Sequence, residues 1–129
     1  MASIFTRIIQ GEIPCHKVAE NDRFLAFLDI SPLREGHTLV VPKLEVDRFF
    51  DLPAGLMAEI MPFAQEVATR IRKVVPCDRV GVAVIGLEVP HAHVHLIPID
   101  RMADMDFTRE KLKLTQAELA DIAERIRTA

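Results

Sequence analysis

Cysteine is scarce in this chain and tryptophan is absent. The two cysteines, Cys15 and Cys77, lie far apart and form no CxxC pair, so we predict neither a disulfide framework nor a cysteine-type zinc site. Residues 1–7 lack the apolar core of a signal peptide. No apolar run reaches the roughly 18 residues that a membrane span needs. We therefore expect a soluble, cytoplasmic protein that does not bind a membrane.

Positive charge is not in excess either, since the net charge is −3 and the pI is about 5.9. Nucleic-acid binding through phosphate neutralisation is therefore not expected, although a pocket can still bind a small anion. The GxxxxGK pattern of P-loop nucleotidases is missing. Half of the residues are hydrophobic, and no repeat or Gly/Ser-rich linker divides the chain. These features predict a single domain over residues 1–129.

The spacing of apolar residues predicts short strands around one long helix. Residues 53–75 carry apolar side chains three or four positions apart, which is typical of a helix with one buried face. Asp51 is the expected N-cap, and Pro62 predicts a kink or a late start. A brief helix over 4–9 and a final helix over 115–127, which begins with a Thr115–Glu118 capping box, complete the helices.

Strands are expected at 24–30, 37–41, 79–86 and 91–99, the third of them buried. Because they are hairpin-like neighbours with the long helix between them, they predict an α+β fold with an antiparallel sheet.

Three histidines, His91, His93 and His95, alternate with Ala92 and Val94 in the last of these strands. Side chains alternate between the two faces of a strand, so the three imidazoles would share one face. Same-face neighbours lie roughly 7 Å apart, about the span of a phosphate held between rings.

Three interpretations of this cluster remain open at this point. The histidines could form a solvated polar face, or chelate zinc with Glu88 as the nearest carboxylate. Alternatively, a neutral imidazole whose Nδ1–H is held by a carbonyl presents a free Nε2 lone pair to phosphorus, with its neighbours binding phosphoryl oxygens or protonating the leaving group.

The segment His91-Ala92-His93-Val94-His95-Leu96-Ile97 has the signature of the histidine triad (HIT) family, and Pro98 follows it. Segments 4–14, 24–32 and 36–43 are similar to other parts of that family in the same order. The sequence thus resembles HIT nucleotide hydrolases and transferases over roughly residues 3–100, with the purine nucleoside phosphoramidase-like branch as the nearest.

The resemblance implies a five-stranded antiparallel sheet, a homodimer, no cofactor or bound metal, and a purine nucleotide as substrate. His93 would be the nucleophile, and His95 would contact the phosphate and assist the leaving group. His91 and His37 would orient the nucleophile through hydrogen bonds, and Asp29 would accept the ribose hydroxyls unless it only caps the turn at Ser31. The residues expected around the base and the phosphate are Phe5, Ile8, Phe27, Leu28, Ile30, Glu88 and Val89.

Residues 85–90 depart from the phosphoramidase branch. The segment is shorter, Leu87 stands where that branch has Gln, and an expected Asn has no counterpart. The side chain of Glu88 would repel a phosphate unless it turns away or holds the hydrolytic water. The segment 102–107 could cover the site or join a dimer contact.

The function expected from the residues and the resemblance together is hydrolysis at the α-phosphate of AMP phosphoramidates, acyl-AMP or dinucleoside polyphosphates, through a covalent nucleotidyl-histidine. A nucleotide-binding module without turnover and a His-ligated metal-binding protein are the alternatives.

Overall fold

The computed structural model describes residues 2–129, which form five strands, three α-helices and two 3-10 helices. In chain order these are α1 (Ile4–Ile9), β1 (Lys17–Glu20), β2 (Phe24–Leu28), β3 (Thr38–Pro42), a 3-10 helix (Phe49–Asp51), α2 (Ala54–Val74), β4 (Arg79–Ala83), β5 (Val94–Ile99), a second 3-10 helix (Met102–Met105) and α3 (Gln116–Arg127). None of the helices in this part of the chain is both long and apolar enough to cross a bilayer.

The five strands pair antiparallel in the order β1-β2-β3-β5-β4. This arrangement confirms the predicted α+β class and the five-stranded antiparallel sheet. β5 lies inside the sheet, where Leu39 of β3 and Ala83 of β4 flank His95. The end of the histidine segment at His95 is therefore paired with a strand on each side.

Each face of the sheet carries an apolar cluster, because successive side chains of a strand point to opposite faces. The two clusters differ in size. On one face α2 and α3 pack against the larger core; its strand residues include Ala26, Leu28, Val40, Val94 and Leu96. The opposite face carries a smaller cluster of Phe5, Leu25, Phe27, Leu39 and Val41, with Phe5 contributed by α1. The candidate site lies on this second face.

The long helix differs from its prediction at its start. Asp51 is not the N-cap: it belongs to the preceding 3-10 helix, and the carbonyl of Pro53 accepts the first helical hydrogen bond from the Met57 N–H at 2.9 Å. Pro62 neither delays nor ends α2, which runs through it. The proline is exposed, and Ile60 and Phe63 on either side of it are buried in the core, which offsets the lost hydrogen bond.

The two strands before and within the histidine segment are shorter than predicted. β4 ends at Ala83 and is an edge strand rather than a buried one, with Val82 48% exposed and Ile85 46% exposed. β5 begins at Val94 rather than at His91. The N–H of Ala92 donates to the carbonyl of Val46, at 2.7 Å, instead of joining the strand ladder.

We expect Ile60→Ala to lower the free energy of unfolding by about 2–5 kcal/mol, because it removes a fully buried side chain of α2 and leaves a cavity. Met61→Ala is the matched control: this neighbour is 42% exposed and its loss should cost less than about 1 kcal/mol. Urea denaturation followed by circular dichroism measures both. Equal losses in the two variants would contradict this packing.

Candidate active site

A cavity of about 490 Å³ opens on the face of the smaller cluster. Eleven of the twelve predicted site residues line it: Phe5, Ile8, Phe27, Leu28, Asp29, Ile30, His37, Glu88, Val89, His93 and His95. His91 is the exception, since its side chain is fully buried outside the lining. The cavity therefore brings together side chains from α1, β2, β5 and the loops before β3 and β5.

The imidazole of His93 has a defined tautomer. Its Nδ1 lies 2.7 Å from the backbone carbonyl oxygen of His91. Because a carbonyl oxygen can only accept, Nδ1 carries the hydrogen and donates it. In the neutral ring the lone pair is then on Nε2. A side chain of this form can attack phosphorus through Nε2.

The imidazole of His95 is set by a chain of hydrogen bonds that begins at a backbone N–H. The Leu33 N–H donates to Nδ1 of His37 at 3.0 Å, so a neutral His37 carries its hydrogen on Nε2. That Nε2 lies 3.0 Å from Nδ1 of His95 and donates to it. A neutral His95 consequently carries its own hydrogen on Nε2, as a hydrogen-bond donor.

Burial keeps these rings neutral. It lowers the pKa of His37 to about 3 and that of His95 to about 4, and nearby histidines add to both shifts. At neutral pH the tautomers deduced for His37 and His95 are therefore the populated ones.

His91 belongs to a separate polar network. Its Nε2 lies 2.8 Å from the Pro42 carbonyl oxygen and donates to it, so Nδ1 accepts from the hydroxyl of Ser3, also at 2.8 Å. Ser3 is held in turn by Glu45, whose Oε1 accepts its backbone N–H and the hydroxyl of Thr6. These two hydrogen bonds lower the pKa of Glu45 to about 2. Burial is the main cause that lowers the pKa of His91.

Of the two histidines expected to orient the nucleophile through hydrogen bonds, His91 does so through its backbone and His37 does not. His93 is held by the backbone oxygen of His91 and not by its imidazole. His37 hydrogen-bonds to His95 and not to His93. The ring of His91 does not hydrogen-bond to the ring of His93 because β5 begins only at Val94, so the three histidines do not share one continuous strand face. The ring of His91 hydrogen-bonds to Ser3 instead.

Four rings form a row along the cavity. The ring centroids of Phe5 and His93 are 5.1 Å apart, those of His93 and His95 are 4.9 Å apart, and those of His95 and Phe107 are 4.9 Å apart. His93 and His95 are thus neighbours at the centre of the row, with Phe5 beyond His93 and Phe107 beyond His95.

Asp29 caps a turn, as its simpler interpretation proposed, and also faces the cavity. Its Oδ1 accepts the Ser31 N–H at 2.8 Å, while Oδ2 is 3.7 Å from Nε2 of His37, too far for a hydrogen bond. Burial raises the pKa of this carboxyl despite the bond from Ser31. Oδ2 can therefore still accept a hydroxyl group of a ligand.

The remaining predicted residues differ in how much surface they offer. Phe27 and Leu28 are buried walls, whereas Ile30 is 64% exposed and lies at the rim. Glu88 is exposed, and Val89 packs on the smaller cluster beside Phe5. Their roles toward a nucleotide stay predictions.

Two lining residues between β5 and α3, Phe107 and Lys111, were not predicted. Phe107 contacts the rings of His95 and His37, so at least the end of the 102–107 segment reaches the cavity. Both residues are far from the histidines in sequence and belong to no periodic pattern. The local sequence pattern therefore carries no signal for either of them. Other lining residues that were not predicted are Ile4, Ile13, Pro14, Cys15, Ser31, Leu39, Ile85, Gly86 and Leu87.

Asp29, His37 and His95 bring three potential metal-ligand atoms within 4.8 Å of one another. The hydrogen bonds of these residues disfavour metal binding at this position. Nδ1 of His37 is occupied by the Leu33 N–H, so a neutral ring has no lone pair on the Nε2 that faces the other two groups. These residues therefore fit a chain of hydrogen bonds from Leu33 through His37 to His95, which we call the histidine relay, better than a metal site.

Comparison with known proteins agrees with this architecture. The model of the HIT domain family matches residues 10–102. The chain belongs to the HIT family.

Among its relatives, the adenosine 5'-monophosphoramidase HNT1 of Saccharomyces cerevisiae is 38% identical over 102 residues, which cover 75% of this chain and 62% of the yeast protein. The adenylylsulfatase HINT3 of Arabidopsis thaliana is 33% identical over 100 residues, 74% of this chain and 51% of that protein. A HIT-like protein of Bartonella henselae, whose crystal structure contains an unknown ligand, superposes with a TM-score of 0.85 at 28% identity, covering 98% of this chain and 94% of that chain.

We expect stability to fall as the pH falls below about 6.5. His37 and His95 titrate near 6.5 in an unfolded chain but near 3 and 4 when folded. The unfolded state therefore binds more protons between these values, and acid favours unfolding. Each such ring contributes a slope of up to about 1.4 kcal/mol per pH unit.

Urea denaturation at about pH 7, 6 and 5 measures this slope. His37→Phe removes one of the two rings and should make the slope shallower, whatever it does to stability at neutral pH. A variant and a wild type with the same slope would show that the buried ring does not carry the effect.

Proposed function

We propose that this HIT protein hydrolyses a nucleotide at its α-phosphate through a covalent nucleotidyl-His93 intermediate. The observation that carries the proposal is the pair of opposite tautomers: the Nε2 lone pair of His93 beside the Nε2–H of His95, with ring centroids 4.9 Å apart. One ring is suited to attack phosphorus, and the other to hydrogen-bond an oxygen of the phosphate or of the leaving group.

In the first step, the lone pair of His93 Nε2 forms a bond to phosphorus. The bond from phosphorus to the leaving group breaks, and its electron pair departs with that group. In the second step a water oxygen attacks phosphorus, and the N–P electron pair returns to His93. The water keeps one hydrogen on the product phosphate and releases a proton, which balances the charge of the leaving group.

The apolar wall and Asp29 support a nucleoside as the group transferred. Phe5, Ile8 and Phe27 offer flat apolar surface of the kind that binds a base. The free Oδ2 of Asp29 can accept a hydroxyl of a ribose. A purine is the base we propose, and the names of the yeast and Arabidopsis relatives support an adenylyl substrate.

We also propose that the protein acts as a homodimer. β4 is an edge strand whose neighbourhood exposes Val82, Val84 and Ile85, which is apolar surface that a second copy could cover.

His93→Ala should lower kcat/KM for AMP release from an AMP phosphoramidate or adenylyl sulfate by at least about a thousandfold, since it removes the nucleophile. His16→Ala is the matched control, because His16 does not line the cavity, and it should keep wild-type activity. Rapid acid quenching with α-³²P-labelled substrate should trap a labelled wild-type protein and no labelled His93→Ala protein.

Retained turnover in His93→Ala would contradict the covalent mechanism. A wild type that binds AMP but turns over no adenylyl substrate would instead support the binding module without catalysis.

A further inference from the structure

The segment between β5 and α3, residues 100–115, lines one end of the cavity with Phe107 and Lys111. The Leu112 N–H donates to the Pro32 carbonyl at 2.8 Å, and Arg109 Nη2 donates to the Leu33 carbonyl at 2.7 Å. The segment is thus fixed to the same turn whose Leu33 N–H starts the histidine relay. Nearly all of it lies beyond residue 102, where the match to the family model ends.

Lys111 is the one lysine or arginine among the lining residues, all of which belong to the described part of the chain. Two carboxylates, Asp29 and Glu88, line the same cavity. Lys111 lines the cavity together with Asp29, His37 and His95, and its positive charge lowers the pKa of both Asp29 and His37. Without Lys111, the lining would contain two acidic side chains and neither a lysine nor an arginine to offset the negative charge of a substrate.

The ammonium is held in place and keeps a hydrogen for a ligand. Nζ donates to the backbone carbonyls of Phe107 and Arg109. A lysine has three N–H donors, so these two carbonyls leave one for another acceptor. Because Lys111 is held by the carbonyl of Phe107 and Phe107 packs on the ring of His95, the anchored ammonium belongs to the His95 end of the row of rings.

The histidine relay also limits which leaving groups can depart, because it determines whether His95 can protonate them. Neutral His95 offers its Nε2–H as a hydrogen bond, but giving up that proton would leave an imidazolate. An amine must gain a proton as its bond to phosphorus breaks. A sulfate, carboxylate or phosphate leaves as an oxyanion, which needs only a hydrogen bond and a nearby positive charge.

We propose that Lys111 makes the site selective for nucleotides whose leaving group departs as an oxyanion. The inference rests on the proposed function and deepens it. The P–O bond breaks, its electron pair stays on the departing oxygen, and no proton is transferred. The ammonium of Lys111 and the Nε2–H of His95 stabilise the charge that develops on that oxygen.

The test compares kcat/KM for adenylyl sulfate with that for an AMP phosphoramidate of an uncharged alkylamine, in the full chain. Lys111→Met should lower the value for adenylyl sulfate by about tenfold or more and that for the phosphoramidate by less than about threefold. Lys111→Arg should retain much of the preference. Lys113→Met, at an exposed position outside the lining, should change neither value. Equal losses for both substrates in Lys111→Met would overturn the inference.

A binding experiment separates this inference from the proposed function. In the His93→Ala background, ADP carries an extra phosphate in place of a leaving group and should bind more tightly than AMP, by a margin that Lys111→Met removes. That result supports the inference even if the wild type shows no turnover. Equal affinity for ADP and AMP, with no effect of Lys111→Met, would contradict it while leaving hydrolysis itself untouched.

Discussion

The hydrogen bond from the Leu33 N–H to Nδ1 of His37 is the constraint on which the rest of the site depends. A backbone N–H cannot become an acceptor, so it fixes which nitrogen of His37 carries hydrogen. His37 donates from its Nε2 to Nδ1 of His95 at 3.0 Å, so His95 also carries its hydrogen on Nε2. The carbonyl of His91 accepts from Nδ1 of His93, so this ring carries its hydrogen on Nδ1 instead. Two chemically identical side chains thereby differ in function: one presents a lone pair and the other an N–H.

The fold supplies both backbone groups at the right places. Gly36 adopts φ +90°, and a Cβ there would lie 2.9 Å from Val75, so the turn before β3 requires glycine to bring His37 back toward Leu33. At the other side, the departure of residues 91–93 from the strand ladder frees the His91 carbonyl to accept from the ring of His93. The late start of β5 is therefore part of the chemistry of the site.

The sequence was sufficient for the alternation of histidines with core residues and for most of the cavity wall. Period-two spacing buries Val94 and Leu96 against the helices and leaves His93 and His95 on the other face. The partners of the rings could not be predicted in this way. The bond between His37 and His95 depends on the register of β3 against β5, and the ring of His91 is held by Ser3, 88 residues away. Phe107 and Lys111 reach the cavity because Arg109 and Leu112 bind the Pro32–Leu33 turn, and local pattern carries no signal for such contacts.

The most direct test of the division of roles between His93 and His95 is the tautomeric state of the histidines at neutral pH, measured by long-range ¹H–¹⁵N correlation in this chain and assigned with single histidine variants. We expect hydrogen on Nδ1 of His93 and on Nε2 of His37, His91 and His95. A His95 ring protonated on Nδ1, or a His93 ring with its hydrogen on Nε2, would contradict the division of roles between the two rings.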